Sequence, residues 1–383
     1  METTTAGVSA GTPQALYETR LERAREQLRH AGLDYCFIGP SSDMRYLTGL
    51  NPHLSERLSL LIIPANGPSH LVIPAFEAPG LPPLPASLQV AAWEENEDPA
   101  RLVARLMQPP GESQGFTGTV AVGDQLWAVF LLRLQAALPR ATFSTAALVL
   151  EPLRLVKDAA EVAAMAEAGA QADAVFAEIR QLRFSGQSEH QIAEAIAGML
   201  RARGLRIEWG PIVGSGPNGA SPHHTASNRI IQPGDLVVLD FGGVLNGYNA
   251  DMTRTVAVGQ EPDAEMRRVY ELVRQGQEKG VQAAQPGITG EQLDSVVRDF
   301  FTQAGYGQYF THRLGHGIGL DAHEPPYLVQ GGQMALAPGM AFTVEPGLYL
   351  KGRFGVRIED TVVLTPTGAR RMNNAPRELL VVE

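Results

Sequence analysis

The sequence is short of cysteine, of basic runs and of long apolar stretches. Its single cysteine, Cys36, excludes an internal disulfide framework and cysteine-rich zinc sites. No uncharged stretch is both long and free of proline and polar residues, and residues 1–14 contain neither a basic nor an apolar signal region. We therefore expect no membrane segment, no export signal and a cytoplasmic location. A formal net charge of -10 without clustered lysine or arginine argues against a nucleic-acid partner.

The residues that are present fit a globular chain of two domains. The 383 residues are 44% apolar, enough for a sizeable core in each domain. Leucines at helical spacing predict a helix over 15–31, and further helices are predicted over 100–108 and 125–138. The runs DYCFIG, LSLLIIP and SHLVIP predict strands, with Cys36 as a buried, unreactive thiol. This mixture predicts an α/β domain up to about residue 150.

A change of composition near residue 155 marks the predicted domain boundary. An alanine-rich helical segment begins there, with Asp158 at its N-cap and Glu161 three residues later, which is the spacing of a capping box. We therefore predict one domain over residues 1–154 and a second over residues 155–383.

The second domain contains a weak internal repeat. Ser188 opens a predicted helix that ends at Gly204, and Thr289 opens one that ends at Gly305, so the two starts and the two ends are each 101 residues apart. Apolar positions inside the two helices match as well. The repeat predicts two related α/β halves that face each other across one site. A chance match of two helical patterns is the alternative.

Residues 231–255 carry two acids inside strand-like runs. The dipeptide Asn246-Gly247 between the runs best supplies the two positive φ angles of a type I′ turn. Such a turn places Asp240 opposite Thr253 with Asp251 as its diagonal neighbour, so both acids project from one face. Two like charges this close require either a proton on one acid or a cation between them, and we favour the cation.

Exposed aspartates on an edge hairpin are the alternative for this pair. The apolar run 236–239 just before Asp240 argues against exposure, because it predicts a strand that is covered on both faces.

The run GSGPNG at residues 214–219 matches a dinucleotide-binding fingerprint, but its context does not. Pro217 and the polar residues after it cannot open the helix whose N-terminus would hold a pyrophosphate. We therefore expect no dinucleotide at this loop.

Further ligand-type residues follow in two groups. The segment THRLGHGIGLDAHE supplies His312, His316 and His323, a cluster that favours chemistry over a structural role. Glu345 and Glu359 lie in strand-like runs, and an even separation puts them on one face if KGRFG is the connecting loop. Surface acids on an edge strand are the alternative for this second group, although charged residues are rarely buried without a partner or a metal.

Four carboxylates and one imidazole form a hard, oxygen-rich set with more negative charge than one divalent ion requires. The set fits two ions about 3.5–4 Å apart that share bridging carboxylates. Manganese is the ion we expect, with cobalt or zinc as alternatives, because magnesium rarely accepts histidine. A water between two such ions loses a proton near neutral pH and becomes a nucleophile, while the second ion polarises a carbonyl.

These residues resemble the motifs of a known family. LDFGG followed by NADMTRT, then HRLGHGIGLDAHE, FTVEPGLY and GVRIED, occur in order at family-like spacing. From about residue 155 onward the chain resembles the pita-bread dinuclear metallopeptidases, and as a whole it resembles their Xaa-Pro branch, prolidase and aminopeptidase P. The resemblance implies an α/β fold with a creatinase-like N-terminal domain and a C-terminal pita-bread domain of two related α/β halves.

The resemblance also implies which residues bind metal. Asp240 would chelate one ion, Asp251 and Glu359 would bridge, and His316 and Glu345 would bind the second ion. Glu345 would in addition accept the proton of the attacking water and pass it to the leaving nitrogen.

Three histidines and one arginine acquire roles from the same resemblance. His223 matches the histidine near the scissile bond, and His224 is the lesser candidate. His323 matches the residue that hydrogen-bonds the carbonyl or tetrahedral oxygen, and His312 one that lines the pocket near proline. Arg357 would either hydrogen-bond a metal ligand or contact substrate.

The chain departs from the common family motif at Ala250, where a serine usually stands. This difference does not affect any of the expected metal ligands. In the first domain only PSSDMRYLTGL resembles the family. The resemblance implies that this domain caps the cleft, often from the partner subunit of a homodimer.

The expected substrates are short proline-containing peptides. We expect an Xaa-Pro dipeptidase, with an aminopeptidase P acting on longer peptides as the alternative. To reject longer chains, a dipeptidase needs a fixed charge that grips a free terminus, and we assign this to Asp43 for the ammonium group or Arg45 for the carboxylate. A local surface ion pair is the other interpretation of these two residues. A metal-free creatinase-like amidinohydrolase and a non-catalytic binding module are disfavoured, because all five ligands are present.

Overall fold

The structure, a computed structural model, describes residues 13–51, 53–108 and 115–383. The chain divides into two units between Arg154 and Leu155. The N-terminal stretch in which no export signal is expected lies, up to residue 12, outside the described residues. Within them no helix has both the length and the apolar character needed to cross a membrane.

The first unit is built around one mixed sheet in the strand order β4-β3-β2-β1-β5-β6. The apolar runs predicted as strands lie in its centre, and Cys36 on β1 is fully buried. The strands are β1 (Tyr35–Ile38), β2 (Leu60–Pro64), β3 (Ser69–Pro74), β4 (Leu88–Trp93), β5 (Thr119–Val122) and β6 (Thr142–Thr145). The helices are α1 (Pro13–Ala31), α2 (Ser42–Thr48), α3 (Pro99–Leu106), α4 (Ala128–Ala137) and α5 (Ala147–Leu155). The three predicted helices of this unit are thus confirmed, with ends that shift by a few residues.

The second unit contains two larger sheets and two pairs of helices. One sheet has the order β17-β9-β8-β7, the other β11-β10-β12-β15-β16, and β13 pairs with β14. The helices are α6 (Ala159–Ile179), α7 (Glu189–Ala202), α8 (Ala264–Ala283) and α9 (Gly290–Gln303). The strands are β7 (Ile212–Ser215), β8 (Leu236–Leu245), β9 (Tyr248–Val258), β10 (Gly315–Gly317), β11 (Glu324–Leu328), β12 (Ala341–Val344), β13 (Gly347–Leu350), β14 (Phe354–Arg357), β15 (Asp360–Thr365), β16 (Gly368–Arg371) and β17 (Leu380–Val382).

The internal repeat is confirmed as a structural repeat. Helices α7 and α9 both begin with a capping box, made by Ser188 in one half and Thr289 in the other. The glycines that follow the two helices have nearly the same positive φ, 81° at Gly204 and 82° at Gly305. In the first half Ile192 packs in one core with residues of β8 and β9. In the second half, a separate core holds residues of α8, α9, β12 and β15, together with Leu236 of β8 and Ala257 of β9.

The hairpin that carries the two aspartates has the predicted register. Leu245 pairs with Tyr248, Asp240 pairs with Thr253, and Asp251 pairs with Gly242 two positions further along. Asn246 and Gly247 have φ angles of 51° and 94°, both positive as a type I′ turn requires. The apolar residues before Asp240 on β8 are buried, which excludes an exposed edge hairpin.

The second acidic pair is brought together differently from the prediction. The connection is shorter than KGRFG, because Phe354 and Gly355 already belong to β14 and only residues 351–353 form the turn. Glu345 and Glu359 do not lie inside strands. Val344 pairs with Asp360 on one side and β13 pairs with β14 on the other, so the two glutamates lie opposite each other in the gap between the paired segments.

The GSGPNG run forms the end of β7 followed by a short 3₁₀ helix over Gly216–Ala220. The prediction that this run does not open an α-helix is therefore confirmed. The other described 3₁₀ helices are Ala78–Gly80 and Gly307–Tyr309.

Candidate metal centre

A cavity of about 380 Å³ in the second unit gathers most of the residues singled out in the sequence. It is lined by Pro222, His223, Asp240, Asp251, His312, Arg313, His316, His323, Val329, Glu345, Arg357 and Glu359. The hairpin of the first half supplies the aspartates, and β10 and the interrupted hairpin of the second half supply His316 and the glutamates.

The five predicted ligands form two overlapping groups of three. One group consists of Asp240, Asp251 and Glu359, and the other of His316, Glu345 and Glu359, with ligand atoms within 4.8 Å of one another in each group. Glu359 belongs to both groups, which is the arrangement expected of a carboxylate shared by two ions. A third group of the same kind joins Asp251 and His316 to His323.

His316 is oriented to present a ring nitrogen to the acids. Its Nδ1 lies 3.1 Å from the carbonyl oxygen of Gly317, which can only accept, so Nδ1 carries a proton. Its Nε2 lies 3.2 Å from Glu345 Oε1 and 4.0 Å from Asp251 Oδ2. A histidine fixed in this way through its second nitrogen has the orientation of a metal ligand.

Three of the four acids are held in an environment that opposes their charge. Burial, followed by the charges of Asp240 and Glu345, raises the pKa of Asp251 well above its ordinary value. Burial, followed by the charges of Asp251 and Glu345, does the same to Glu359. Burial also raises the pKa of Asp240, although the Arg357 guanidinium opposes this effect.

Glu345 differs from the other three acids. Burial alone would raise its pKa, but the hydrogen bond and charge of His316, together with His312 and Arg357, lower the pKa to about 2. Glu345 therefore remains a carboxylate beside three acids that favour their protonated form.

This donor set fits divalent cations. Burial, and after it the charges of neighbouring acids, raises the pKa values of Asp240, Asp251 and Glu359, and cations among these acids would favour their charged form. Carboxylate oxygens with one imidazole nitrogen are ligands that manganese, cobalt and zinc accept.

Arg357 is fully engaged by neighbours of the acids. Its guanidinium bonds Asp240 Oδ2 at 2.6 Å, Thr253 Oγ1 at 3.1 Å and the hydroxyl of Tyr349 at 2.8 Å. Of its two expected roles, these contacts favour the hydrogen bond to a ligand acid over a contact with substrate.

His312 and Tyr349 continue this chain of hydrogen bonds. His312 Nδ1 donates to the carbonyl of Arg313 at 2.7 Å, so its Nε2 accepts from the Tyr349 hydroxyl at 2.9 Å. Burial lowers the pKa of His312, and burial raises the pKa of Tyr349 to about 12, so both groups stay neutral in this chain.

His323 is oriented by a cation that sequence reasoning did not single out. Arg313 Nη2 lies 3.2 Å from His323 Nδ1, and since a guanidinium only donates, the ring proton is on Nε2. Burial, His316 and Arg313 together lower the pKa of His323 to about 4. The ring of His323 also lies against that of His316, with centroids 3.8 Å apart.

The two adjacent histidines 223 and 224 have different surroundings. His223 lines the cavity. His224 is turned away into a hydrogen bond from its Nε2 to Glu189 Oε2 at 2.7 Å. The preference for His223 over His224 is consistent with these positions.

Asp43 and Arg45 lie in the first unit, on helix α2. Asp43 forms a part-buried ion pair at 2.8 Å with Arg154, which lies 111 positions further along the chain.

Sequence reasoning missed Thr253, Tyr349 and Arg313, which contact residues of the site, and Glu189, which bonds the neighbour of His223. Thr253 donates from Oγ1 to Glu359 at 2.6 Å, and its place opposite Asp240 in the hairpin register was the available signal. Arg313 lies within the histidine cluster that was singled out. No local pattern distinguishes Tyr349 or Glu189.

The fold and the site define a divalent-metal peptidase of two α/β units. The family model of the Creatinase/Prolidase N-terminal domain matches residues 20–156, and that of Metallopeptidase family M24 matches residues 163–366. The chain belongs to metallopeptidase family M24.

Similar proteins match over nearly the whole length. The "Probable dipeptidase PepE" of Mycobacterium tuberculosis is 40% identical over 96% of this chain and 97% of its own. The "Xaa-Pro dipeptidase" of Lactobacillus helveticus is 35% identical over 94% and 98%. The crystal structure of a prolidase from Thermococcus sibiricus superposes with a TM-score of 0.89 at 36% identity, covering 96% and 99%.

Proposed function

We propose that this peptidase is an Xaa-Pro dipeptidase that uses two divalent ions, with manganese as the ion we favour. The observation that carries the proposal is the pair of ligand groups that share Glu359. The names of the similar dipeptidases and prolidases support the substrate class.

In this proposal the five ligands divide between two ions. Asp240 would hold one ion, His316 and Glu345 would hold the other, and Asp251 and Glu359 would be shared by both. When bound, such ions would lower the pKa of a water and polarise the scissile carbonyl.

The remaining chemistry belongs to residues of the chain. Glu345 accepts a proton from the attacking water and delivers it to the proline nitrogen as the C–N bond breaks. His323 offers the hydrogen on Nε2 to the oxygen that becomes negative in the tetrahedral state, because Arg313 occupies its Nδ1. His223 approaches the scissile bond from its own side of the cavity, and His312 lines the pocket near proline.

Metal analysis with a chelator series tests this proposal. We expect the purified protein to hydrolyse Gly-Pro far faster than Gly-Gly, to lose that activity with a chelator and to regain it with manganese. Activity on Gly-Pro that survives complete removal of metal would overturn the proposal and favour a metal-free reaction of the creatinase type.

Substrate length separates the dipeptidase from the aminopeptidase P alternative. We propose that Asp43 or Arg45 grips a free terminus of the dipeptide, and that the unit over residues 1–154 caps the catalytic unit over residues 155–383 within a homodimer. Replacing Arg45 with alanine should then raise the rate on Xaa-Pro-Xaa relative to Xaa-Pro, and an unchanged ratio removes Arg45 from this role. Size-exclusion chromatography with light scattering measures the molar mass in solution and so tests whether the protein is a homodimer.

A further inference from the structure

A buried carboxylate outside the cavity lining is surrounded by hydrogen-bond donors. Glu189 is the first residue of helix α7 and its exposed fraction is 0%. Its Oε1 accepts from the backbone and the hydroxyl of Ser215, at 2.8 and 2.6 Å. Its Oε2 accepts from the backbone and the hydroxyl of Ser227, at 3.1 and 2.6 Å. Asn218 Nδ2 reaches both oxygens, and His224 Nε2 lies 2.7 Å from Oε2.

All these donors belong to one segment of the chain, residues 215–227. Ser215 is the last residue of β7, Asn218 lies in the 3₁₀ helix that follows, and Ser227 lies in the loop between that helix and β8. The carboxylate therefore connects the beginning and the end of the segment to the N-terminus of α7.

His223 lies in this segment between two anchors. On one side the carbonyl of Pro222 accepts a hydrogen bond from Arg357 Nη1 at 3.1 Å, and Arg357 in turn holds Asp240. On the other side His224 is bonded to Glu189. The residues directly before and after His223 are thus both tied, one to the ligand acids and the other to Glu189.

The negative charge of Glu189 is stabilised by these donors. Burial alone would raise its pKa, but the hydrogen bonds of Ser215, Ser227 and His224 outweigh it and lower the pKa to about 2. The nearby guanidinium of Arg229 bonds Ser215 Oγ and Asp235 instead of Glu189. A glutamine of the same size would turn one acceptor oxygen into a donor that faces other donors.

We propose that Glu189 is a positioning residue for His223: it fixes the segment 215–227 so that the His223 ring enters the cavity. The catalytic consequence rests on the proposed function, whereas the placement of the segment does not. Glu189 touches neither substrate nor ion in this role.

A double-mutant cycle on Gly-Pro hydrolysis tests the catalytic consequence. Misplacing a group that takes part in catalysis lowers kcat by roughly 10- to 100-fold. We expect a loss of this size from Glu189→Gln, with KM changed by less than about 3-fold. In the His223→Ala background, Glu189→Gln should lower kcat by less than about 3-fold further, because the group that it positions is already gone. Full multiplication of the two single effects would overturn the coupling.

Backbone hydrogen exchange followed by mass spectrometry tests the placement without any assay of activity. In Glu189→Gln, amides of residues 215–227 should exchange faster than in the parent, with metal content unchanged. Ile196→Val on the core face of the same helix is the matched control, because it should lower the unfolding temperature while leaving the carboxylate of Glu189 and its hydrogen bonds in place. Unchanged exchange in the segment would overturn the proposal even if the protein proved to have another activity.

If Glu189→Gln does not fold, His224→Ala replaces it in the double-mutant cycle and in the hydrogen-exchange measurement. It removes only the bond next to His223, so we expect a smaller effect in the same direction. No effect of His224→Ala on kcat and on exchange would then count against the proposal.

Discussion

One buried acid in the second unit, Glu189, differs in its surroundings from the buried acids of the metal centre. Glu189 has hydrogen-bond donors on both carboxylate oxygens and a pKa lowered to about 2. Asp251 and Glu359 are buried among other acids, and their pKa values are raised well above the ordinary range. Hydrogen-bond donors of the protein stabilise the negative charge of Glu189, whereas in the described part of the chain no comparable set of donors stabilises the charges of Asp251 and Glu359. A buried charge that the chain itself does not stabilise indicates a ligand, whereas one that it does stabilise indicates a structural or positioning role.

The largest effect that sharpens this comparison is on catalysis. Replacing Glu345 with alanine removes both a proposed ligand and the proton carrier, so kcat on Gly-Pro should fall by about 10³-fold or more, equivalent to about 4 kcal/mol. Glu194→Ala, on the exposed face of α7, should leave kcat near the parent value. Near-normal turnover in Glu345→Ala would remove this residue from the mechanism.

A second test compares the stability of two isosteric variants in metal-free protein. Glu189→Gln leaves buried donors unpaired and should lower the free energy of unfolding by about 1–3 kcal/mol. Asp251→Asn removes one of several crowded charges and should leave the metal-free protein as stable as the parent or more stable. Denaturant unfolding in the presence of a chelator measures both. The comparison breaks if the two substitutions change stability equally.

A third and smaller effect is the pH dependence of the same free energy. For Asp251 and Glu359 the folded pKa lies above the unfolded one, so the stability they contribute is present below about pH 4 and is lost as the pH rises toward the folded pKa. For Glu189 the sign is opposite. Its contribution is present above about pH 4.3 and is lost as the pH falls toward 2.

Denaturant unfolding of metal-free protein from pH 4 to pH 8 measures how the free energy of unfolding changes as Asp251 and Glu359 lose their protons. We expect stability to decline across this range more steeply in the parent than in Asp251→Asn, and saturating manganese to remove the decline in the parent. Identical slopes in parent and variant would show that these acids are not crowded in solution.

Features that follow from short-range rules were predicted correctly. The register of the aspartate hairpin follows from the turn chemistry of Asn246-Gly247, and the capping box of α6 follows from Asp158 and Glu161, three positions apart. Each of these patterns is decided by the backbone within a few residues, so neighbouring side chains leave little freedom.

The break between the two glutamates was not predicted. The runs around Glu345 and Glu359 are rich in apolar and β-branched residues, as continuous strands are, and the predicted turn KGRFG is two residues longer than the observed turn over 351–353. Only the strand pairing on both sides shows that the two acids face each other.

The kinds of residue in the metal centre, the hairpin that carries two of them and the duplication of the α/β halves were determined by the sequence alone. The tertiary structure decided which side chains hold these residues in place. Glu189 meets Ser227 across 38 positions of the chain, and Arg357 meets Asp240 across 117. Contacts over such separations depend on how sheets and helices pack, and a local sequence pattern carries no information about them.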